Sequence, residues 1–588
     1  MNTANKPRQK IRLGDLLVQH RMISEKQLTE ALAEQKKSGH KLGRVLVQLG
    51  HVEESDLLNF LGKQLDISFI DLKHYHFRPQ TVRLLPETHA RRYRAIVLAE
   101  KGEELTVGMA DPTDIFAYDA LSRMLKRPLD VVLVRESDLL RTIDIVYRRT
   151  EEISSLAEEL GEELSDSDYD IAALEDDEGQ VDAPVIKLLQ SMFEDAVQIG
   201  ASDIHIEPDE SVLRIRQRVD GELQEQIIEG RRVASALVTR LKLMASLNIS
   251  EKRLPQDGRF SIRVKDRNID VRLSTMPIQY GESMVMRLLD QSAGLLELEK
   301  LGIPDGMLKR VRRLIDRPSG MVLVTGPTGS GKTTTLYAAL NRINQARSKI
   351  ITVEDPVEYR LPRINQVQVN QKIGLDFARV LRTALRQDPD VIMVGEMRDR
   401  ETAEIGLRAA MTGHLVLSTL HTNSAPATVM RLLDMGAQGF MVAAALDGVL
   451  AQRLVRRICE SCGEDSKPDH AQLAWLKGVL GDEALGQMQF RAGKGCAYCS
   501  NTGYRGRIGV YELLEMDEEL TDALRRMDTD TFSKLARSRA DYKPLLHCAL
   551  DYAAAGITSL DEVTRLAGGI DALLDEEIDA GELAREKS

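Results

Sequence analysis

Cysteine, tryptophan and long apolar runs are all scarce in this chain. Five cysteines and one tryptophan stand among 588 residues, too few cysteines for a disulfide scaffold. No window approaches the roughly 18 consecutive apolar residues that a spanning helix needs. The best candidate, 439–451, is short and carries Asp447. The segment from Met1 to Arg12 is basic, but no apolar core follows it, so no secretory signal is expected and the expected address is the cytoplasm. A basic excess is missing too: 79 Lys and Arg face 91 Asp and Glu, a net charge of −12. Fourteen of the acids lie between Glu151 and Asp182, where there is no Lys or Arg, so the rest of the chain carries +2. That near-neutral body disfavours a nonspecific nucleic-acid binder, which needs a basic footprint. Hydrophobic residues make up 43% against 4% aromatic, the balance of a helix-rich globular protein. At roughly 100–200 residues per domain, the length predicts three to five domains.

What is present begins with a repeat. Residues 12–35 read RLGDLLVQHRMISEKQLTEALAEQ and residues 41–64 read KLGRVLVQLGHVEESDLLNFLGKQ. Each opens on a basic residue, Leu and Gly, and each closes on Gln; Leu28 matches Leu57, and Leu32 matches Leu61. Ser24 and Gln27 have the three-residue spacing of a capping box. The pattern predicts two helix-turn-helix units, followed to residue 149 by strand-like runs at 95–98, 105–109 and 129–134 alternating with helices. The acidic segment 150–182 reads as a linker too charged to bury, with a possible helix at 154–164. A second domain with a helix to about Ile199 and alternating strands follows from about Ala183. From Leu301 the grammar becomes strand–loop–helix, that of a parallel α/β sheet.

The chemistry sits in that last region. Gly326-Pro327-Thr328-Gly329-Ser330-Gly331-Lys332-Thr333, then Thr334, follows an apolar strand and opens a helix. Glycines let backbone N–H groups curl round a phosphate, Lys332 meets the β/γ oxygens, and the Thr333 hydroxyl suits Mg²⁺. A second apolar strand, 391–394, ends in Gly395-Glu396, where a carboxylate can organise magnesium through water. A third, 351–353, runs into Glu354, Asp355 and Glu358, any of which could polarise an attacking water. The strand 415–420 lies between His414 and His421; strand ends of this kind converge on the ligand crevice of an open sheet, although a lone His is more often structural.

Taken together, GPTGSGKTTTLY, ITVEDPVE, VGEMRD and TGHLVLSTLHTN resemble the Walker A, Asp-box, Walker B and His-box set of the secretion ATPases, the motors of type II secretion and type IV pilus assembly. ASDIHIEP, RIRQRVDGEL, EKRLPQDGR and AQRLVR extend the resemblance over about residues 183–565. It implies a multidomain α/β chain: a PAS-like α+β domain at 183–298, a RecA-like P-loop motor at 299–457, a cysteine-bearing element at 458–505 and a helical region at 506–588. It implies ATP as substrate, Glu358 as catalytic carboxylate, Glu396 as Walker B acid and His421 as sensor of the γ-phosphate. It further implies that Arg216 and Arg231 of the PAS-like domain, and Arg382, Arg386 and Arg398 of the motor, face the nucleotide. Each of these arginines has an interface ion pair as its plainer reading. The implied assembly is a cytoplasmic homo-hexamer working against a platform protein of the inner membrane, with which it associates peripherally.

Cys459-x₂-Cys462 and Cys496-x₂-Cys499, 33 residues apart, suit a closed tetrahedral Zn²⁺ site of structural type, with a redox pair as the weaker reading. The doubled N-terminal unit resembles the tandem 24-residue cyclic di-GMP motif of MSHA-pilus assembly ATPases, which makes 1–149 a regulatory domain. That resemblance points to Arg12, Leu13, Gly14 and Gln35 of the first copy, Lys41, Leu42, Gly43 and Gln64 of the second, and Asp111 beyond them. The copies depart from the motif at Arg21, where Gly50 keeps the glycine, and at Lys41, which lacks the guanidinium fork. The expected function is therefore a magnesium-dependent ATP hydrolase that powers pilus assembly or type II secretion under cyclic di-GMP control. The alternatives are a motor whose repeat only docks a membrane partner, a low-turnover nucleotide-dependent scaffold, and a DNA translocase, which the charge balance disfavours.

Overall fold

The computed structural model describes residues 13–38, 42–52, 60, 62, 67–72, 75, 77–112, 114–147, 150–166, 182–229, 231–290, 297–481 and 488–568. They form two units, Met1–Arg148 and Arg149–Ser588.

In the first unit, helices Leu13–Gln19, Glu25–Ser38 and Leu42–Gln48 close on a small core that includes Leu17, Ile23, Ala31 and Leu46. The capping box forms, with Ser24 N–H donating to Gln27 Oε1 at 2.8 Å and Gln27 N–H to Ser24 Oγ at 3.3 Å. Both copies of the repeat close their first helix alike. Met22 N–H donates to Leu17 O and His51 N–H to Leu46 O, around left-handed residues Arg21 (φ 58°) and Gly50 (φ 68°). Strands β1 (Ala95–Lys101), β2 (Glu104–Met109) and β3 (Leu129–Leu133) follow. β1 and β2 are antiparallel, whereas β3 returns parallel to β2 through helix Ile115–Leu125.

The second unit starts with a correction. Thr150–Asp166 is a helix rather than a linker. Ile153, Ala157 and Leu160, spaced four and three apart, are buried in the next domain's core, while Glu152, Glu158 and Glu159 are exposed. The remainder of the expected linker, 167–181, lies outside the described residues. Beyond helix Asp182–Ile199 come β4 (Asp203–Pro208), β5 (Val212–Val219), β6 (Glu222–Glu229), helix Arg231–Met244, β7 (Gln256–Val264), β8 (Arg267–Ile278) and β9 (Gly281–Asp290). They make a six-stranded antiparallel sheet ordered β6-β5-β4-β9-β8-β7, the PAS-like α+β domain.

The motor sheet contains β10 (Gly320–Thr325), β11 (Ile350–Glu354), β12 (Ile364–Gln368), β13 (Val391–Val394), β14 (Leu415–Leu420) and β15 (Leu446–Ile458). β16 (Gly463–Ser466) and β17 (Phe490–Gly493) form a separate two-stranded antiparallel sheet, and β18 (Tyr504–Glu515) rejoins the motor sheet, whose order is β12-β11-β13-β14-β10-β15-β18. All pairs are parallel except β15–β18. Strand alternation feeds two cores: Met321 and Leu323 face one, Val322 and Val324 the other. β18 corrects the helical reading of residues 506–588. A short, mostly apolar run such as 510–514, interrupted by Glu512, has no period that separates strand from helix; the ten-residue register with β15 decides. Helices Glu518–Arg525, Thr529–Ser538 and Leu545–Ala554 then follow as expected.

Candidate functional site

β10, β11, β13 and β14 run parallel, so their carboxyl ends open on one crevice. The phosphate loop leaves β10 with Gly326, Gly329 and Gly331 at φ of 148°, 79° and 88°. The loop is wedged against β15: a Cβ on Gly326 would stand 2.3 Å from Gln452 O, and one on Gly331 2.7 Å from Gln452 Nε2. Thr335 of the helix Lys332–Ile343 donates to Gln452 Oε1 at 2.7 Å, so loop, helix and β15 form one block. The Lys332 ammonium donates to Gly326 O (2.7 Å) and Pro327 O (2.9 Å). Burial pulls its pKa down to about 8, against the opposing pull of Glu396 and with some help from Arg453. Thr333 and Thr334, just after it, are exposed.

Glu396 follows β13 and is the hub of the opposite wall. Its carboxylate pairs with Arg398, stands 3.6 Å from His421 Nε2, and acts electrostatically on Lys332. Burial first, and then the Lys332 charge, lower the pKa of His421, so the ring is neutral at pH 7. His414, at the other end of β14, bonds Ala409 O at 3.0 Å through Nδ1 and is a packing residue.

The three acids at and just beyond the end of β11 part company. Glu354 is 3% exposed, surrounded by Tyr337, Thr352 and Gln366 as donors. Asp355 is exposed and Glu358 half-buried. Glu358 is met by a residue absent from the sequence expectation: Arg272 of β8 reaches its carboxylate at 2.6 Å and donates to Val357 O at 3.1 Å. Arg272, Arg259 and Arg287 line a cleft of about 1070 Å³ together with Asp203, Asp355 and Lys372. Arg216 does not join them; it lies on β5, paired with Glu207 at 2.6 Å. The side chain of Arg231 lies outside the described residues. Arg382 pairs with Glu401, and Arg386 donates to Arg382 O at 2.9 Å; both are exposed, and these contacts do not reach the phosphate loop. Alternation along β8 puts Arg272 on one face with Asp270 and Ser274, but only the docking of this sheet on the motor identifies it as a crevice residue.

The four cysteines converge. Cys459 Sγ and Cys496 Sγ are 3.9 Å apart, Cys462 and Cys499 3.8 Å, Cys496 and Cys499 3.7 Å, and all four sulfurs lie within 4.8 Å of one another. A tetrahedron of Zn–S bonds of about 2.3 Å requires sulfurs about 3.8 Å apart, so the set fits a zinc ion. N–H groups of Cys496 and Gly503, each 3.2 Å from Cys499 Sγ, brace the knuckle.

The N-terminal residues are placed less completely. Arg12, Lys41 and Gln64 lie outside the described residues. Leu13 and Gly43 are helical, and Gln35 and Leu42 are half-buried. Gly14 is buried where a Cβ would stand 2.5 Å from Leu28 Cδ1, so it lets helices approach. Asp111 is half-buried just beyond β2.

A twisted parallel sheet whose phosphate loop, strand-end acid and histidine meet at one edge is the crevice of a RecA-like P-loop ATPase. Comparison with known proteins narrows the class. Residues 178–565 match the family described as Type II/IV secretion system protein, and residues 65–153 match the MshEN domain. The type IV pilus assembly ATPase PilB of Myxococcus xanthus is 42% identical over 555 residues, spanning 94% of this chain and 98% of that protein. The type II secretion system ATPase E of Vibrio cholerae is 42% identical over 496 residues, 83% of this chain and 97% of that one. The Legionella pneumophila ATPase DotB shares the fold, with a TM-score of 0.50 at 22% identity over 65% of this chain and 96% of its own. The chain belongs to the type II/IV secretion system protein family and carries an MshEN domain. Among the described residues no helix is long and apolar enough to cross a membrane.

Proposed function

We propose that this protein is the ATP-hydrolysing motor of a type IV pilus or type II secretion apparatus, working in the cytoplasm as a homo-hexamer against an inner-membrane platform protein. The observation that carries the reading is the meeting of Lys332, Glu396 and His421 in one crevice, with Glu358 in the loop that follows the adjoining strand β11. Gly326–Thr334 hold the phosphates, with Lys332 neutralising the β/γ oxygens. Thr333 and Glu396 have the right donor types for a magnesium ion, which when bound neutralises phosphate charge. Glu358 accepts the proton of the attacking water, and neutral His421 reads the γ-phosphate as a hydrogen-bond partner. Arg272 ties the PAS-like domain to the Glu358 loop, so a shift of that domain is felt at the reacting end; Arg398, beside Glu396, supplies a permanent charge there. Arg216, held by Glu207, is not assigned to the nucleotide, and Arg382 and Arg386 are left facing outward, for a neighbouring copy. Zinc at Cys459, Cys462, Cys496 and Cys499 is structural. Steady-state ATP hydrolysis should fall to background in Lys332→Ala and Glu358→Ala while both stay folded; unchanged turnover in either would overturn the assignment.

The MshEN domain and the doubled RLG/KLG unit support cyclic di-GMP as the regulatory ligand of the N-terminal unit. Calorimetric titration of cyclic di-GMP into the full chain and its Arg12→Ala variant separates the readings. Saturable heat weakened by the substitution supports regulation. No heat leaves the repeat as a docking module, a role with which the packing of Gly14 against Leu28 also agrees.

A further inference from the structure

We infer that Tyr337 and the buried carboxylate of Glu354 are positioning residues for Glu358, and that they tie the loop carrying it to the phosphate-loop helix. The inference rests on the reading of Glu358 as the catalytic carboxylate. Three observations carry it. Tyr337 lies five residues after Lys332 on the same helix and is 2% exposed. Its hydroxyl donates to Glu354 and accepts the backbone N–H of Glu358 at 3.2 Å. On the far side of the same loop, Gln366 of β12 donates to Tyr359 O at 2.9 Å, accepts from Leu361 N–H at 2.7 Å, and donates to Glu354 Oε1 at 3.2 Å.

The loop is therefore stapled at two points, and both staples meet at one carboxylate. Burial is what gives the arrangement its authority: an unsatisfied polar group at this depth is costly, so each partner is held to its neighbour. Burial and the Glu354 charge both push the Tyr337 phenol up, which keeps it protonated and able to donate at every working pH. The Tyr337 and Tyr359 rings meet edge to face, 6.0 Å between centroids and 72° between planes, adding a non-polar contact between helix and loop. Glu354 itself is too deep to touch a phosphate or a water in the crevice, which is why it is a positioning residue and not a second base. A displacement of the phosphate-loop helix must move the Tyr337 hydroxyl, and with it the backbone of Glu358.

The test is a double-mutant cycle on the full-length chain, reading ATP hydrolysis and equilibrium binding of a fluorescent ATP analogue. Tyr337→Phe keeps the ring and removes both hydrogen bonds. It should lower kcat about tenfold while leaving KM and analogue binding within about twofold. In a Glu358→Gln background the same change should cost nothing further, because the group it positions is already disabled. Glu354→Gln, which sets an amide N–H against one of its three donors, should reproduce the kcat loss. Wild-type kcat in Tyr337→Phe, or a loss that adds fully to that of Glu358→Gln, overturns the inference. Full activity in Glu358→Gln instead overturns the catalytic assignment beneath it. Should Tyr337→Phe fail to fold, Gln366→Ala removes the second staple on the same criteria: a lower kcat with unchanged analogue binding supports the inference, and an unchanged kcat sinks it.

Discussion

Glycine defines both the phosphate loop and the N-terminal repeat, and the two regions use it for different ends. In the loop, Gly326 and Gly331 have left-handed or extended positive φ and lie where a Cβ would strike Gln452, its backbone oxygen at 2.3 Å in the first case. At Gly326 nothing can yield, because the oxygen is backbone of the interior strand β15; at Gly331 the atom met is the end of the Gln452 side chain, held by Thr335. In the repeat, Gly14 lies within a regular helix against the end of the Leu28 side chain, which can turn. Gly50 has left-handed φ with nothing within 4 Å of a Cβ, and Arg21 holds the matching turn in the first copy at φ 58°. A motif glycine that lets two backbones come this close is a requirement. One that merely eases a helix contact or a turn is a preference, and Arg21 takes its place in the first copy.

The contrast can be broken by substitution. Gly326→Ala should abolish ATP analogue binding and reduce hydrolysis by more than about 100-fold, since overpacking against backbone, at about 1–3 kcal/mol, comes on top of lost phosphate geometry. Retained binding would show that the loop has more give than the distances allow. Next in size is a pH effect in the same loop. The free Lys332 loses its proton from about pH 8 upward, and the ammonium is the form that meets phosphate. The value of kcat/KM for ATP should therefore fall above about pH 8, approaching about tenfold per pH unit. A flat profile to pH 9.5 would mean that Lys332 titrates in its ordinary range. In the repeat the expected effects are smaller. Arg21→Gly should stabilise the N-terminal unit by about 1 kcal/mol and Gly50→Ala destabilise it by a similar amount, read from its denaturant midpoint. Smallest is Gly14→Ala, where a helix-propensity gain of about 1 kcal/mol offsets the shift forced on Leu28; a net change within about 1 kcal/mol is expected. A larger loss would make Gly14 as strict as Gly326.

The same contrast explains what could be read early. The phosphate loop, the strand ends at Glu396 and His421, and the paired cysteines were legible because their chemistry demands particular residue types at fixed spacing on recognisable elements. The capping box at Ser24 and the strand runs at 95–98 and 105–109 were legible for a similarly local reason. A helix at 154–164 was legible, but not that Thr150–Asp166 packs as part of a domain: charge dominated the reading, while Ile153, Ala157 and Leu160 carried the packing. β18 was missed because only its pairing with β15 distinguishes it from a helix. Among the arginines, the family resemblance pointed to Arg216, which pairs with Glu207, whereas Arg272, to which nothing in the sequence pointed, meets Glu358.

By itself the sequence determined the loop that binds phosphate, the order of the motor strands' acids and the four thiolates for a metal, since each depends on neighbours close along the chain. Tertiary structure alone decided which of the three acids at the end of β11 is enclosed and which is met by an arginine. Burial and ion pairing are set by residues far apart along the chain: Glu354 is enclosed by Tyr337 and Gln366, and Glu358 is reached by Arg272 from another domain. A carboxylate's role follows from what surrounds it, and that is fixed only when the sheet, its helix and the neighbouring domain are all in place.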